Sequence, residues 1–162
     1  AYDIPVLSLT NVKGYATDVR SEKSIAKAVA KLTYAFANAN VPKVNVITGE
    51  AYGSAYVTMN SKALGADVTY AWPDASIGMM DANVAAKIMY ADDIAKSADV
   101  QSVISEKAAE YAALQSGVES AAARGYVDTI INPEDTRKYV AAAFEMLYTK
   151  REDRPDKKHG TV

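Results

Sequence analysis

The segment KVNVITGEAYGSAYVTMNSKALGAD, Lys43–Asp67, joins a β-branched strand to a turn of small residues. Val44, Val46, Ile47 and Thr48 make the strand, Gly53, Ser54 and Ala55 the turn, and the spacing predicts a helix over Ser54–Lys62. The first N–H groups of a helix have no acceptor inside it, and the helix dipole adds partial positive charge there. A junction of this kind can cradle an oxyanion. Chemistry that passes through an enolate or a ureido anion needs two aligned donors on one oxygen, and main-chain amides suffice. Small residues also let a helix pack tightly on a sheet, so the local pattern alone leaves both uses open.

Other chemical equipment is sparse. The chain has no cysteine, which excludes disulfides, zinc–thiolate sites and thiol nucleophiles. Its single histidine, His159, lies in a polar tail, from which a Ser-His-Asp triad would have to recruit it. Asp92 and Asp93 are adjacent and do not converge on a cation, so they read as a solvated helix cap and no metal site is expected. Asp67 reads as a structural anchor or as a lining residue of the turn site. Tyr52 and Tyr56 flank the turn, where each could line a slot or pack in the core. Lys150, Arg151, Arg154, Lys157 and Lys158 could meet phosphates, but Glu152, Asp153 and Asp156 are interleaved, which favours a solvated tail or an intersubunit arm.

The elements that must hold the turn in place follow from periodicity. With 162 residues, 49% of them hydrophobic, and a net charge of −2, the chain has the profile of one globular domain and not that of a nucleic-acid binder. Strands are expected at Val6–Leu9, Lys43–Thr48, Val68–Ala71, Ser76–Met79 and within Tyr126–Ile131. Helices are expected at Glu22–Asn40, Asn83–Tyr90 (with Asp81 or Asn83 as cap), Gln101–Gln115, Val118–Ala123 and Pro133–Tyr148. Strands alternating with helices predict an α/β domain with mostly parallel strands over residues 1–149, followed by a charged tail, 150–162. No apolar run reaches the roughly 20 residues that a membrane span needs. The absence of an initiator Met reads as a piece of something longer.

Five stretches, in order, carry a resemblance: IPVLSLTNVKGY, VPKVNVITGEAYGSAYVTMNSKALGAD, YAWPDASIGMM, AARGYVDTIINPEDTR and the tail KREDRPDKKHG. Together they cover nearly the whole chain, which resembles the C-terminal half of the carboxyltransferase subunits of biotin-dependent acyl-CoA carboxylases and decarboxylases. The resemblance implies a crotonase-like spiral of ββα units, here truncated at its N-terminus. It also implies a cytoplasmic enzyme subunit or fragment that moves CO2 between carboxybiotin and a short-chain acyl-CoA. The implied partners are a biotin carboxyl carrier protein, an N-terminal carboxyltransferase domain that holds acyl-CoA, a biotin carboxylase or membrane decarboxylase subunit, and further copies of the chain in a homo-oligomer. In that scheme the base is the cofactor itself, which fits a chain with so few nucleophiles.

Carried over residue by residue, the resemblance puts the biotin-side oxyanion hole on the N–H groups of Ser54 and Ala55, beside Gly53, Tyr52 and Tyr56. Val57 takes the place of the residue that helps discriminate acyl chains. The family's Gly-Gly-Ala-Tyr is here Gly53-Ser54-Ala55-Tyr56, which preserves the hole provided that residue 54 does not need a positive φ. The family's VPGFLPG loop is here Val12–Thr17 with one glycine left, GGIIRHGAK is here Lys23–Lys31, and the glycines after MM are Asp81 and Ala82. These departures motivate the alternative of a non-catalytic assembly module; a sodium-pump-type decarboxylase α chain is the other alternative.

Overall fold

The structure, a computed structural model, describes residues 2–153. Its centre is one parallel sheet built around β2 (Lys43–Tyr52). β1 (Val6–Val12) pairs along one side of β2. The other side is shared: β3 (Val68–Ala71) pairs with Val44–Ile47, and β4 (Ser76–Gly78) pairs with Glu50–Tyr52. β5 (Thr129–Ile130) extends the sheet beyond β3. All these pairings are parallel, as the alternation of strands and helices predicts.

β2 is longer than its β-branched core because of a local device. Between Thr10 and Val12 the register with β2 jumps from Ile47 to Ala51. Asn11 fills the gap, its Oδ1 accepting the Glu50 N–H at 3.0 Å. A Cβ on Gly49 would lie 2.8 Å from that oxygen, so only glycine permits the contact. The bulge carries β2 on to Tyr52 and delivers the turn at the sheet's end.

The strand is buried on both faces, as expected for a central parallel strand. On one face Val44 and Val46 pack with Tyr70, Ile131 and Ala143, the last from α8 (Thr136–Met146). On the other, Ile47 and Ala51 pack with Tyr56, Ala71, Ile77, Val118 and Ala121, the last two from α7 (Val118–Ala123). Each fully buried aliphatic side chain of this kind stabilises the fold by about 1.5–3 kcal/mol. The second face also carries polar groups: Thr10 Oγ1 donates to Asn45 Oδ1 at 2.7 Å, and Lys43, fully buried, donates from Nζ to the Phe36 carbonyl at 2.9 Å.

The predicted helix from Glu22 to Asn40 is two helices, α1 (Val19–Glu22) and α2 (Ile25–Asn38). Asp18 starts the first by accepting the N–H groups of Arg20 and Ser21, and the chain breaks at Lys23-Ser24. The helix after the turn, α3 (Gly53–Thr58), is shorter than predicted, and a 3-10 turn follows at Lys62–Leu64. α4 (Ala82–Met89) is capped by Asp81, whose side chain accepts the Asn83 N–H. α5 (Ala91–Lys96) holds Asp92 and Asp93 in its first turn. α6 (Val100–Tyr111) runs into a π-helical turn at Ala112–Ser116.

Asp67 is an anchor. Its carboxylate accepts the Lys43 N–H at 2.8 Å and pairs with Lys150 Nζ at 2.8 Å. Lys150, expected at the start of a solvated tail, is therefore fastened to the domain. His159, Arg154, Asp156, Lys157 and Lys158 lie outside the described residues. Among the described residues no helix is long and apolar enough to cross a membrane.

Candidate functional site at the strand–turn–helix junction

β2 leaves the sheet at Tyr52 in an extended conformation, and Gly53 turns the chain at φ +60° to begin α3. That φ favours glycine, and a Cβ at residue 53 would press to 3.0 Å from the Met79 carbonyl oxygen. Ser54 does not share the strain: among the described residues, those other than glycine with positive φ are Asp3 and Asn60. A serine at this position is thus compatible with the turn.

No side chain caps α3. The N–H groups of Ser54 and Ala55 belong to its first turn, where no intrahelical acceptor exists, and among the described residues neither donates to a main-chain oxygen outside the helix. Tyr15 braces the helix from the Val12–Thr17 loop, its hydroxyl lying 3.1 Å from both the Ser54 carbonyl oxygen and Thr58 Oγ1.

In front of the turn lies a cavity of about 370 Å³. Gly53, Ser54, Tyr56 and Val57 form one wall, Ile77, Gly78 and Met79 a second, and Ala121, Arg124 and Tyr126 a third. The lining is mostly apolar and the size suits a small organic ligand. Of the residues singled out from sequence, four line the cavity. Tyr52 and Ala55 do not; both are buried. Donors in an apolar enclosure act at low effective dielectric, which strengthens their hold on a negative oxygen.

Sequence reasoning missed the third wall. Arg124 and Tyr126 lie some seventy positions downstream of the turn, and no local spacing links them to it. Folding brings them together because α7 packs on the sheet beside β4.

Tyr56 is also buried, and its hydroxyl has no hydrogen-bond partner among the described residues. Burial pushes that hydroxyl up to about 12, and the neighbouring Tyr126 adds to the rise. Burial likewise raises Tyr52 and Tyr70. The folded chain therefore holds this proton where an unfolded tyrosine, titrating near about pH 10, releases it. Stability contributed by the neutral hydroxyl is intact below about pH 10 and is lost as pH rises toward about 12. Denaturation measured across that window should show Tyr56→Phe losing stability less steeply than the parent; an unchanged slope would contradict this origin.

The chain matches the Carboxyl transferase domain family over residues 1–162. It is 48% identical over 163 residues to a putative propionyl-CoA carboxylase beta chain of Bacillus subtilis (strain 168), covering 100% of this chain and 32% of that protein. To the methylmalonyl-CoA decarboxylase subunit alpha of Propionigenium modestum it is 42% identical over 163 residues, again covering 100% of this chain and 32% of the relative. Among solved structures, the transcarboxylase 12S hexamer with methylmalonyl-coenzyme A and methylmalonic acid bound superposes with a TM-score of 0.92 at 42% identity, over 98% of this chain and 31% of that one. The chain spans about a third of the length of these relatives.

Proposed function

The chain belongs to the carboxyl transferase domain family, with the crotonase-like fold of its structural neighbours, and from that membership we propose that it forms the biotin-side half of a carboxyltransferase acting between carboxybiotin and a short-chain acyl-CoA. The observation that carries the reading is the uncapped start of α3, whose Gly53 and Ser54 line an open apolar cavity. A non-catalytic assembly module would have no need to keep that cavity free of side chains.

In this reading the N–H groups of Ser54 and Ala55 receive the ureido oxygen of biotin. Biotin, brought by a carrier protein or domain, supplies the carboxyl group and, once relieved of it, the base. Gly53 shapes the turn, Tyr56 and Val57 bound the slot, and Tyr52 supports it from behind. Val57, at 37% exposure, stands at the wall where an acyl chain would lie. An N-terminal carboxyltransferase domain holding acyl-CoA, a biotin carboxylase or membrane decarboxylase subunit, and further copies of the chain complete the assembly. The fit of the cofactor rests on two main-chain donors in the first turn of α3, for which no main-chain acceptor occurs among the described residues, and on an apolar slot of suitable volume.

Binding of biocytin, the amide-linked form of biotin, tests the proposal. Titration should give saturable binding that substitutions lining the cavity weaken, such as Val57→Trp. Absence of binding at millimolar biocytin would remove the biotin-side assignment.

A further inference from the structure

Arg124 is the charged residue among those lining the cavity. It ends α7, and Gly125, at φ +81°, turns the chain away immediately after it. Its guanidinium is steered: Nη2 donates to Gln115 Oε1 at 2.5 Å, and Gln115 sits in the π-helical turn Ala112–Ser116. Such turns are frequent at functional sites. No carboxylate among the described residues forms an ion pair with Arg124. A cation at a helix C-terminus is mildly favourable in itself. That accounts for the charge, but not for its restraint by Gln115 at the mouth of an apolar cavity. A guanidinium presents five N–H donors in a planar fork that matches a carboxylate in two-point contact.

We propose that Arg124 binds the carboxylate in transit and so distinguishes a carboxylated ligand from a bare one. The inference rests on the biotin-side reading of the same cavity. The planar anionic carboxylate has one chemistry whether it arrives on the ureido nitrogen or returns on the acyl thioester. No bond is made or broken by Arg124. An interaction present in both the ground state and the transition state changes KM rather than kcat.

The test uses the assembled enzyme with Arg124→Gln and Arg124→Lys. Loss of a charged two-point contact should raise KM for the carboxylated partner about ten- to a hundredfold, with kcat little changed. Affinity for biocytin, whose ureido nitrogen carries no carboxyl group and whose lysyl carboxylate sits at the far end of the arm, should stay within about twofold, and lysine should rescue part of the loss because it offers charge without the fork. A rise confined to the carboxylated carrier places the contact on the biotin side; a rise confined to the carboxylated acyl-CoA in the reverse direction places it on the acyl side. Unchanged KM for both, or an equal loss of biocytin affinity, would overturn the inference. If the parent enzyme fails to bind biocytin, the biotin-side reading itself fails, and the two failures are thereby told apart.

Discussion

Ser54→Pro and Ala55→Pro each lower carboxyl transfer in the assembled enzyme by about a hundred- to a thousandfold, the cost of one oxyanion donor, whereas Ser54→Ala leaves the rate within about threefold. Proline lacks the N–H and keeps a helical φ, so the first turn of a helix accepts it. The two variants fail for different steric reasons if they fail structurally. Ser54 is exposed and its new ring would enter the cavity, while Ala55 is 3% exposed and its new ring would press on the core. Equal loss in both, with melting temperatures close to that of the parent, isolates the missing donors. Full activity in a folded Ala55→Pro protein would mean that the main chain at this bend does not hold the developing charge.

Asp67→Ala destabilises the fold by about 2–3 kcal/mol in chemical denaturation. The carboxylate bridges the start of β2 and the end of the described chain, through the Lys43 N–H and Lys150 Nζ. Both charged side chains are largely buried, at 18% and 13% exposure. Breaking a fully buried pair from one side costs about 3–5 kcal/mol because a charge is left behind. Here Glu152, 3.3 Å from Lys150 Nζ, and the Val41 carbonyl at 3.4 Å retain part of its company, which sets the smaller value. In a double-mutant cycle Lys150→Ala should recover part of the loss, since it removes the stranded ammonium. Additive effects would show that the two groups act independently.

The legible parts of the fold are those with unambiguous local punctuation. Val68–Ala71 and Val118–Ala123 occur at the predicted bounds, the first framed by Gly65-Ala66 and Trp72-Pro73, the second opened by Gly117. The elements that differ depend on contacts invisible to periodicity. The first long helix is split because Asp18 begins one helix before the apolar repeat starts another. β2 extends to Tyr52 because Asn11, on a neighbouring strand, stitches the bulge. α5 carries two acids at its start and no apolar stripe, so a periodic search passes over it. The same division runs through the site. The donors at residues 54 and 55 follow from a strand meeting small residues, and Asp67 could be placed as an anchor. Tyr15, Arg124 and Tyr126 reach the junction only through the parallel sheet and the packing of α7, which no short motif encodes.

The most direct measurement is a structure of the assembled enzyme with biocytin bound. The account predicts the ureido carbonyl oxygen about 3 Å from the main-chain nitrogens of both Ser54 and Ala55, with the ring system against Val57 and Tyr56. A ureido oxygen held by side chains alone, or a ligand seated away from residues 53–57, would contradict it.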